Sequence, residues 1–220
     1  MEKFAVLVAG GVGSRLDKNI PKQFLSLNGI PILMRTIKQF YDLDKSIILI
    51  VVLPKNHIDT WKLLCKEFSF EINHIITIGG ETRFQSVKNG LSFVKKDSMV
   101  AIHDAARPLV STELISKCYS ECEKYGSAIP LIDIKESARE IKGATSKSIL
   151  REKFKLVQTP QCFFSNQIKY AYNKASHDKF TDDATVYEDS GKLIHIIDGE
   201  ESNIKITTPF DMLVAEAFIS

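Results

Sequence analysis

Short apolar runs alternate with longer segments of helical period along this chain. Phe4 to Ala9 is a continuous apolar run closed by glycines, the pattern of a strand buried on both faces. Pro31 to Tyr41 places Ile32, Leu33, Ile37, Phe40 and Tyr41 at helical spacing, and Pro31 suits a first helical turn. Ser46 to Leu53 predicts a second buried strand, stopped by Pro54. Asn56 to Phe68 predicts a helix with Trp61, Leu64, Cys65 and Phe68 on its apolar face. His74 to Ile78 is a third strand, and Ser86 to Val94 a helix with Val87, Leu91 and Val94 inward. Ser98 to His103 is a fourth strand. Thr112 to Tyr125 is a helix capped by Thr112 or Ser111, and Ser127 to Ile132 a fifth strand.

Asp133 to Leu156 breaks the rhythm. It is charged, rich in β-branched residues and sparse in apolar positions, with Gly143 near its middle. This predicts a two-stranded arm turning at Lys142 to Thr145 and standing off the main core. Such an arm commonly reaches a partner subunit, which points to a homodimer. Val157 to Phe164 returns to the core, and Ser165 to Ala175 is helical. Thr181 to Ser190 starts a helix with a threonine cap and an acidic first turn. Leu193 to Ile197 and Asn203 to Thr207 read as strands, and Thr208-Pro209 opens a last helix, Phe210 to Ile219. Strands alternating with helices imply an α/β fold, Rossmann-like, with a mostly parallel sheet and helices on both faces. The expectation is one domain over residues 1–220, with a protruding β-arm at about 133–156.

Composition narrows the setting. The 44% apolar and 25% charged fractions are those of an ordinary globular protein. A net charge of +2 gives no general surface for nucleic acid or membrane, so any cationic site must be local. The four cysteines, Cys65, Cys118, Cys122 and Cys162, form no C-x-x-C pair. Reduced thiols in a cytoplasmic protein follow, rather than a zinc ribbon or a disulfide framework. No signal peptide and no transmembrane-length run is visible.

The candidate chemistry gathers where predicted strands end: Gly10 to Arg15, Gly79 to Ser86, His103 to Arg107, Gln158 to Gln161, and Lys205 to Thr208. Ligands of an open α/β sheet bind along that edge, although every loop tip there is polar. After the first strand, Gly10, Gly11 and Gly13 let backbone N–H groups approach a ligand, while Arg15 and Lys22 bring positive charge. No Walker A pattern is present, and Leu16 stands where a dinucleotide fingerprint needs its last glycine. Arg15, Lys22 and Lys205 could converge on a polyphosphate. Asp104 could hold a divalent metal, accept sugar hydroxyls, or simply cap the following segment. His103 fits a core position. Asp182 and Asp183 are explained by a helix N-terminus.

These clusters, in order, resemble those of the cytidylyltransferases that make the CDP-linked methylerythritol intermediate of non-mevalonate isoprenoid synthesis. The matching motifs include Ala9-Gly10-Gly11-Val12-Gly13-Ser14-Arg15, Pro21-Lys22-Gln23-Phe24, Gly79-Gly80 through Arg83 and Ser86, His103-Asp104-Ala105-Ala106-Arg107-Pro108, Gln158-Thr159-Pro160-Gln161, Thr181-Asp182-Asp183-Ala184 and Asn203 to Pro209. They span nearly the whole chain. The resemblance implies CTP and a polyol phosphate as substrates and Mg²⁺ as cofactor. It implies that Ala9, Gly10, Gly11, Gly13, Gly79, Gly80, Glu81, Arg83 and Ser86 bind the nucleotide, and that Arg15, Lys22 and Lys205 stabilise charge at the α-phosphorus. Asp104 and Arg107 would face the sugar phosphate, with Ser137 and Arg151 supplied by the arm of a second subunit. Ribitol-5-phosphate cytidylyltransferase shares most of these motifs, and Ala106 and Thr-Asp-Asp-Ala favour the isoprenoid enzyme. A non-catalytic nucleotide-binding module is the alternative of another class, and the joint presence of Arg15, Lys22 and Lys205 speaks against it.

Overall fold

The computed structural model describes residues 1–10 and 21–219. In chain order its elements are β1 (Lys3–Val8), the short pair β2 (Ser26–Leu27) and β3 (Ile30–Pro31), α1 (Ile32–Leu43), β4 (Ile48–Leu53), α2 (Ile58–Glu67), β5 (Ile75–Ile78), α3 (Arg83–Leu91) and β6 (Met99–Asp104). There follow α4 (Thr112–Tyr125), β7 (Ser127–Asp133), β8 (Arg139–Lys142), β9 (Thr145–Ser148), β10 (Lys155–Val157), β11 (Gln161–Phe164), α5 (Ser165–Lys174), α6 (Asp183–Asp189), β12 (Ile196–Asp198) and α7 (Pro209–Ile219). A 3₁₀ turn at Lys22–Phe24 follows the undescribed stretch 11–20.

The central sheet runs β10-β7-β11-β6-β1-β4-β5, and β12 also pairs with β7. The β6-β1-β4-β5 half is parallel throughout. Period-two alternation along β1 explains the two cores. Ala5 and Leu7 join α1, α2 and α4 on one face, and Phe4 and Val6 join α3, α5 and α6 on the other. Chain order runs outward from β1 through β4 to β5, then crosses back to β6 on the other side of β1. That reversal opens a crevice beyond the ends of β1 and β6, where α/β sheets bind ligands. Val8 and Asp104 are register partners at that edge.

Several expectations change in detail. β11 runs antiparallel to both β6 and β7, so the sheet is mixed in its second half. Helix α3 begins at Arg83, three residues ahead of Ser86, because Thr82 caps it by accepting from the Gln85 N–H. Ser111, not Thr112, caps α4, and that helix stops at Gly126 with φ of 88°. Asp182, rather than Thr181, caps α6. Residues 203–207 form no strand, since the Ile206 N–H to the Ala106 carbonyl replaces a ladder. Only Trp61 of the expected α2 face is fully buried, while Phe68 is exposed. The arm is as expected: β8 and β9 pair antiparallel with every residue exposed.

Candidate active site

The crevice is a cleft of about 280 Å³. Its walls include Ala9 and Gly10 after β1, Lys22 and Gln23 on the 3₁₀ turn, the loop from Gly80 into α3, Asp104 ending β6, and Lys205. Gln23 is buried and donates through Nε2 to the Ala9 carbonyl at 2.9 Å, which fixes the turn carrying Lys22 to the end of β1. Behind it, Phe24 stacks on Trp61 with ring centroids 6.0 Å apart, and the indole N–H donates to His74 at 2.9 Å.

Asp104 is the electrostatic hub. Oδ1 accepts from Arg83 Nε at 3.3 Å, and Oδ2 lies 2.8 Å from Lys205 Nζ and 3.7 Å from Arg107 Nε. Burial alone would raise its pKa. Arg83, Lys205 and Arg107 together reverse that and hold the carboxyl well below the usual carboxylate range. The Lys205 ammonium has further N–H donors and remains partly exposed on the cleft wall. Its segment is irregular but anchored: Arg107 Nη1 donates to the Asn203 carbonyl at 2.7 Å, and Asn203 Nδ2 to the Thr159 carbonyl at 2.8 Å.

A proton-defined chain supports Asp104 from below. The Asp104 N–H donates to Thr159 Oγ1 at 3.1 Å, and that oxygen lies 3.0 Å from His103 Nδ1. His103 Nε2 lies 3.1 Å from the Arg107 carbonyl, which can only accept, so in the neutral ring the proton sits on Nε2 and Nδ1 accepts from the Thr159 hydroxyl. Burial keeps the ring neutral at neutral pH by driving the His103 pKa down to about 4. A base whose folded pKa lies below its unfolded value loses stability as pH falls. The loss begins near the ordinary histidine pKa of about 6.5 and is complete below about 4, amounting to roughly 3 kcal/mol. Urea unfolding at pH 7 and pH 4.5 is expected to show this slope in the wild type and a flatter one in His103→Gln. Equal slopes would contradict the neutral-histidine chain.

The glycines of the 79–80 turn are steric requirements. Gly80 donates its N–H to Ser86 Oγ at 3.1 Å, and Glu81 donates its N–H to Gln85 Oε1 at 3.0 Å. A Cβ at Gly79 would stand 2.9 Å from Ser86 Oγ, and one at Gly80 only 2.3 Å from Gln85 Cβ. Gly80→Ala is therefore expected to cost about 1–3 kcal/mol, as overpacking does. Denaturant midpoints check it, and an unchanged midpoint would refute it.

The family profile for 2-C-methyl-D-erythritol 4-phosphate cytidylyltransferase matches residues 4–220. The chain belongs to that family. Among relatives of that name, the one from Phocaeicola vulgatus is 46% identical over 219 residues, covering 100% of both chains. The one from Azobacteroides pseudotrichonymphae is 47% identical over 220 residues, covering 99% of each. Among solved structures, the 4-diphosphocytidyl-2C-methyl-D-erythritol synthase of Anaerococcus prevotii superposes with a TM-score of 0.84 at 28% identity, covering 99% of this chain and 95% of that one.

Among the residues expected from the motifs of this cytidylyltransferase family, Ala9, Gly10, Lys22, Gly80, Glu81, Arg83, Ser86, Asp104 and Lys205 line one cleft. Gly79 packs beneath it against Ser86. Gly11, Gly13 and Arg15 lie outside the described residues. Arg107 sits behind Asp104 and does not line the cleft. Ser137 and Arg151 are exposed on the arm and the 3₁₀ turn after it, with Arg151 bonded to the Lys135 carbonyl, and neither reaches the cleft of its own chain. Asp104 fits a metal poorly, because both its oxygens already face cations. Sequence reasoning gave no role to Gln23 or Thr159, although both stood in quoted motifs. It assigned Asp182 and Asp183 to a helix N-terminus, and they are there, Asp182 as the cap of α6 and Asp183 as its first residue, but it missed that Asp183 also takes the guanidinium fork of Arg83.

Proposed function

We propose that this chain transfers the cytidylyl group of CTP to 2-C-methyl-D-erythritol 4-phosphate and releases pyrophosphate, in isoprenoid precursor synthesis. The observation that supports it best is Lys205 held on Asp104 at the edge where the glycine turn and Lys22 also converge. A phosphate monoester oxygen attacks the α-phosphorus of CTP, the new P–O bond forms, and the bond to the β-phosphate oxygen breaks with its electron pair leaving on pyrophosphate. The monoester is already largely anionic near neutral pH, its second pKa being about 6, so no protein base is required. Asp104 could not act as one, since its neighbours hold it strongly acidic. Lys22, Lys205 and Arg15 would stabilise the charge developing on the transferred group. Mg²⁺ is proposed to arrive with the triphosphate, where it would offset phosphate charge, rather than on Asp104.

The test is pyrophosphate release from CTP and Mg²⁺ with either methylerythritol 4-phosphate or ribitol 5-phosphate. Release with ribitol 5-phosphate alone would replace the substrate assignment, and release with neither would leave a binding module. We also propose a homodimer in which the arm carries Ser137 and Arg151 to the neighbouring cleft. The arm exposes Ile141 and Leu150, apolar side chains that a partner would cover. Mixing Lys205→Met chains with Arg151→Ala chains should then regenerate one intact site per mixed dimer, giving about a quarter of wild-type activity. No recovery would contradict the shared site.

A further inference from the structure

A cation at the start of a helix stands at the wrong end of the helix dipole. Arg83 nevertheless opens α3, and two carboxylates compensate it. Its Nη1 and Nη2 donate to Asp183 at 3.0 and 2.7 Å, while Nε donates to Asp104 at 3.3 Å. Asp183 is fully buried and does not line the cleft. Its Oδ1 also accepts from the Tyr172 hydroxyl at 2.5 Å, and its N–H donates to Gln161 Oε1 at 3.1 Å. Tyr172 is fixed in turn by stacking on Phe84, with ring centroids 4.6 Å apart. A line of contacts therefore runs from the core between α3, α5 and α6 out to Lys205.

We propose that Asp183, backed by Tyr172, is a positioning residue for Lys205: it occupies the fork of Arg83, so that Asp104 keeps one oxygen for the Lys205 ammonium. The inference rests on reading the cleft as the site of cytidylyl transfer. Its physical ground is competition for Asp104. A guanidinium binds a carboxylate best through two parallel N–H bonds. Asp183 takes that fork, only Nε reaches Asp104 Oδ1, and Oδ2 is left to Lys205 at 2.8 Å. Neutralising Asp183 releases the fork. Arg83 then turns both of its N–H bonds onto the buried Asp104 and displaces Lys205.

Asp183→Asn keeps the side-chain volume and an acceptor for Tyr172 but removes the charge. In an otherwise wild-type chain it is expected to lower kcat roughly tenfold, with a smaller change in the KM for CTP. In a Lys205→Met background the same substitution should change kcat by less than about twofold, because the group it aims is gone. Tyr172→Phe should act in the same direction with a smaller loss, and it carries the same cycle if Asp183→Asn does not fold. Equal fractional losses in both backgrounds, or no loss in the first, would overturn the proposal. A crystal structure of the variant decides the geometry without activity. Lys205 Nζ displaced from Asp104 supports the proposal, and Nζ still bonded to Oδ2 overturns it. If the wild-type chain itself transferred no cytidylyl group, the functional reading would fail while this crystallographic result still judged the geometry.

Discussion

Replacing Lys205 by methionine is expected to lower kcat by about two to three orders of magnitude while leaving the fold in place. The size of the effect follows from where the ammonium stands. Asp104 holds it at 2.8 Å on the cleft wall before substrate arrives, so no reorganisation is needed as charge builds on the transferred phosphoryl group. The stability cost is expected to be small. Lys205 is 39% exposed, and its removal leaves Asp104 and Asp183 facing Arg83 and Arg107, two carboxylates against two cations. Steady-state kinetics with thermal denaturation checks both halves. A kcat within about threefold of wild type would remove Lys205 from the chemistry, since an electrostatic contact made at the reacting centre is worth more than that.

Asp104→Ala should be worse for the molecule as a whole. It leaves Arg107 and Lys205 with no facing carboxylate and Arg83 with Asp183 alone, and removing one partner of a buried ion network costs roughly 3–5 kcal/mol. Catalysis should fall along with stability because Lys205 loses its anchor. The pH dependence has a definite sign. A carboxylate with a depressed folded pKa contributes its stability above the ordinary range near pH 4 and loses it as pH falls through the folded value. The wild type should therefore show an acid limb below about pH 4 that the variant lacks, distinct from the His103 slope at higher pH. Urea unfolding across that range tests it. A loss under about 1 kcal/mol at pH 7 would mean that Arg107 and Lys205 do not depend on Asp104 for compensation.

The first half of the fold was legible because it depends on local signals. β1 and β4 are apolar on both faces, so their sequences show continuous runs, and α1 and α4 carry their apolar stripes at helical spacing. The antiparallel insertion of β11 was not legible. The direction of a strand is set by which partners it meets, and its own four residues carry no mark of it. Residues 203–207 alternate like a strand, yet they are held by side chains of distant segments, Arg107 and Gln158, and no periodicity records that. Among site residues, the glycines and lysines announced themselves through composition. Asp183 did not, because an acidic first turn already accounts for it locally, and only packing against α3 and α5 shows that its carboxylate meets Arg83 and Tyr172.

The pairing of Phe24 with Trp61 has an optical consequence. The sequence contains one tryptophan, so the indole emission of the chain arises from a single buried ring. That ring stacks on the residue two positions after Lys22 and donates its N–H to His74. A change in the 3₁₀ turn that presents Lys22 to the cleft therefore alters the immediate surroundings of the only indole chromophore. The protein carries its own fluorescent label on the back of the cleft that Lys22 lines.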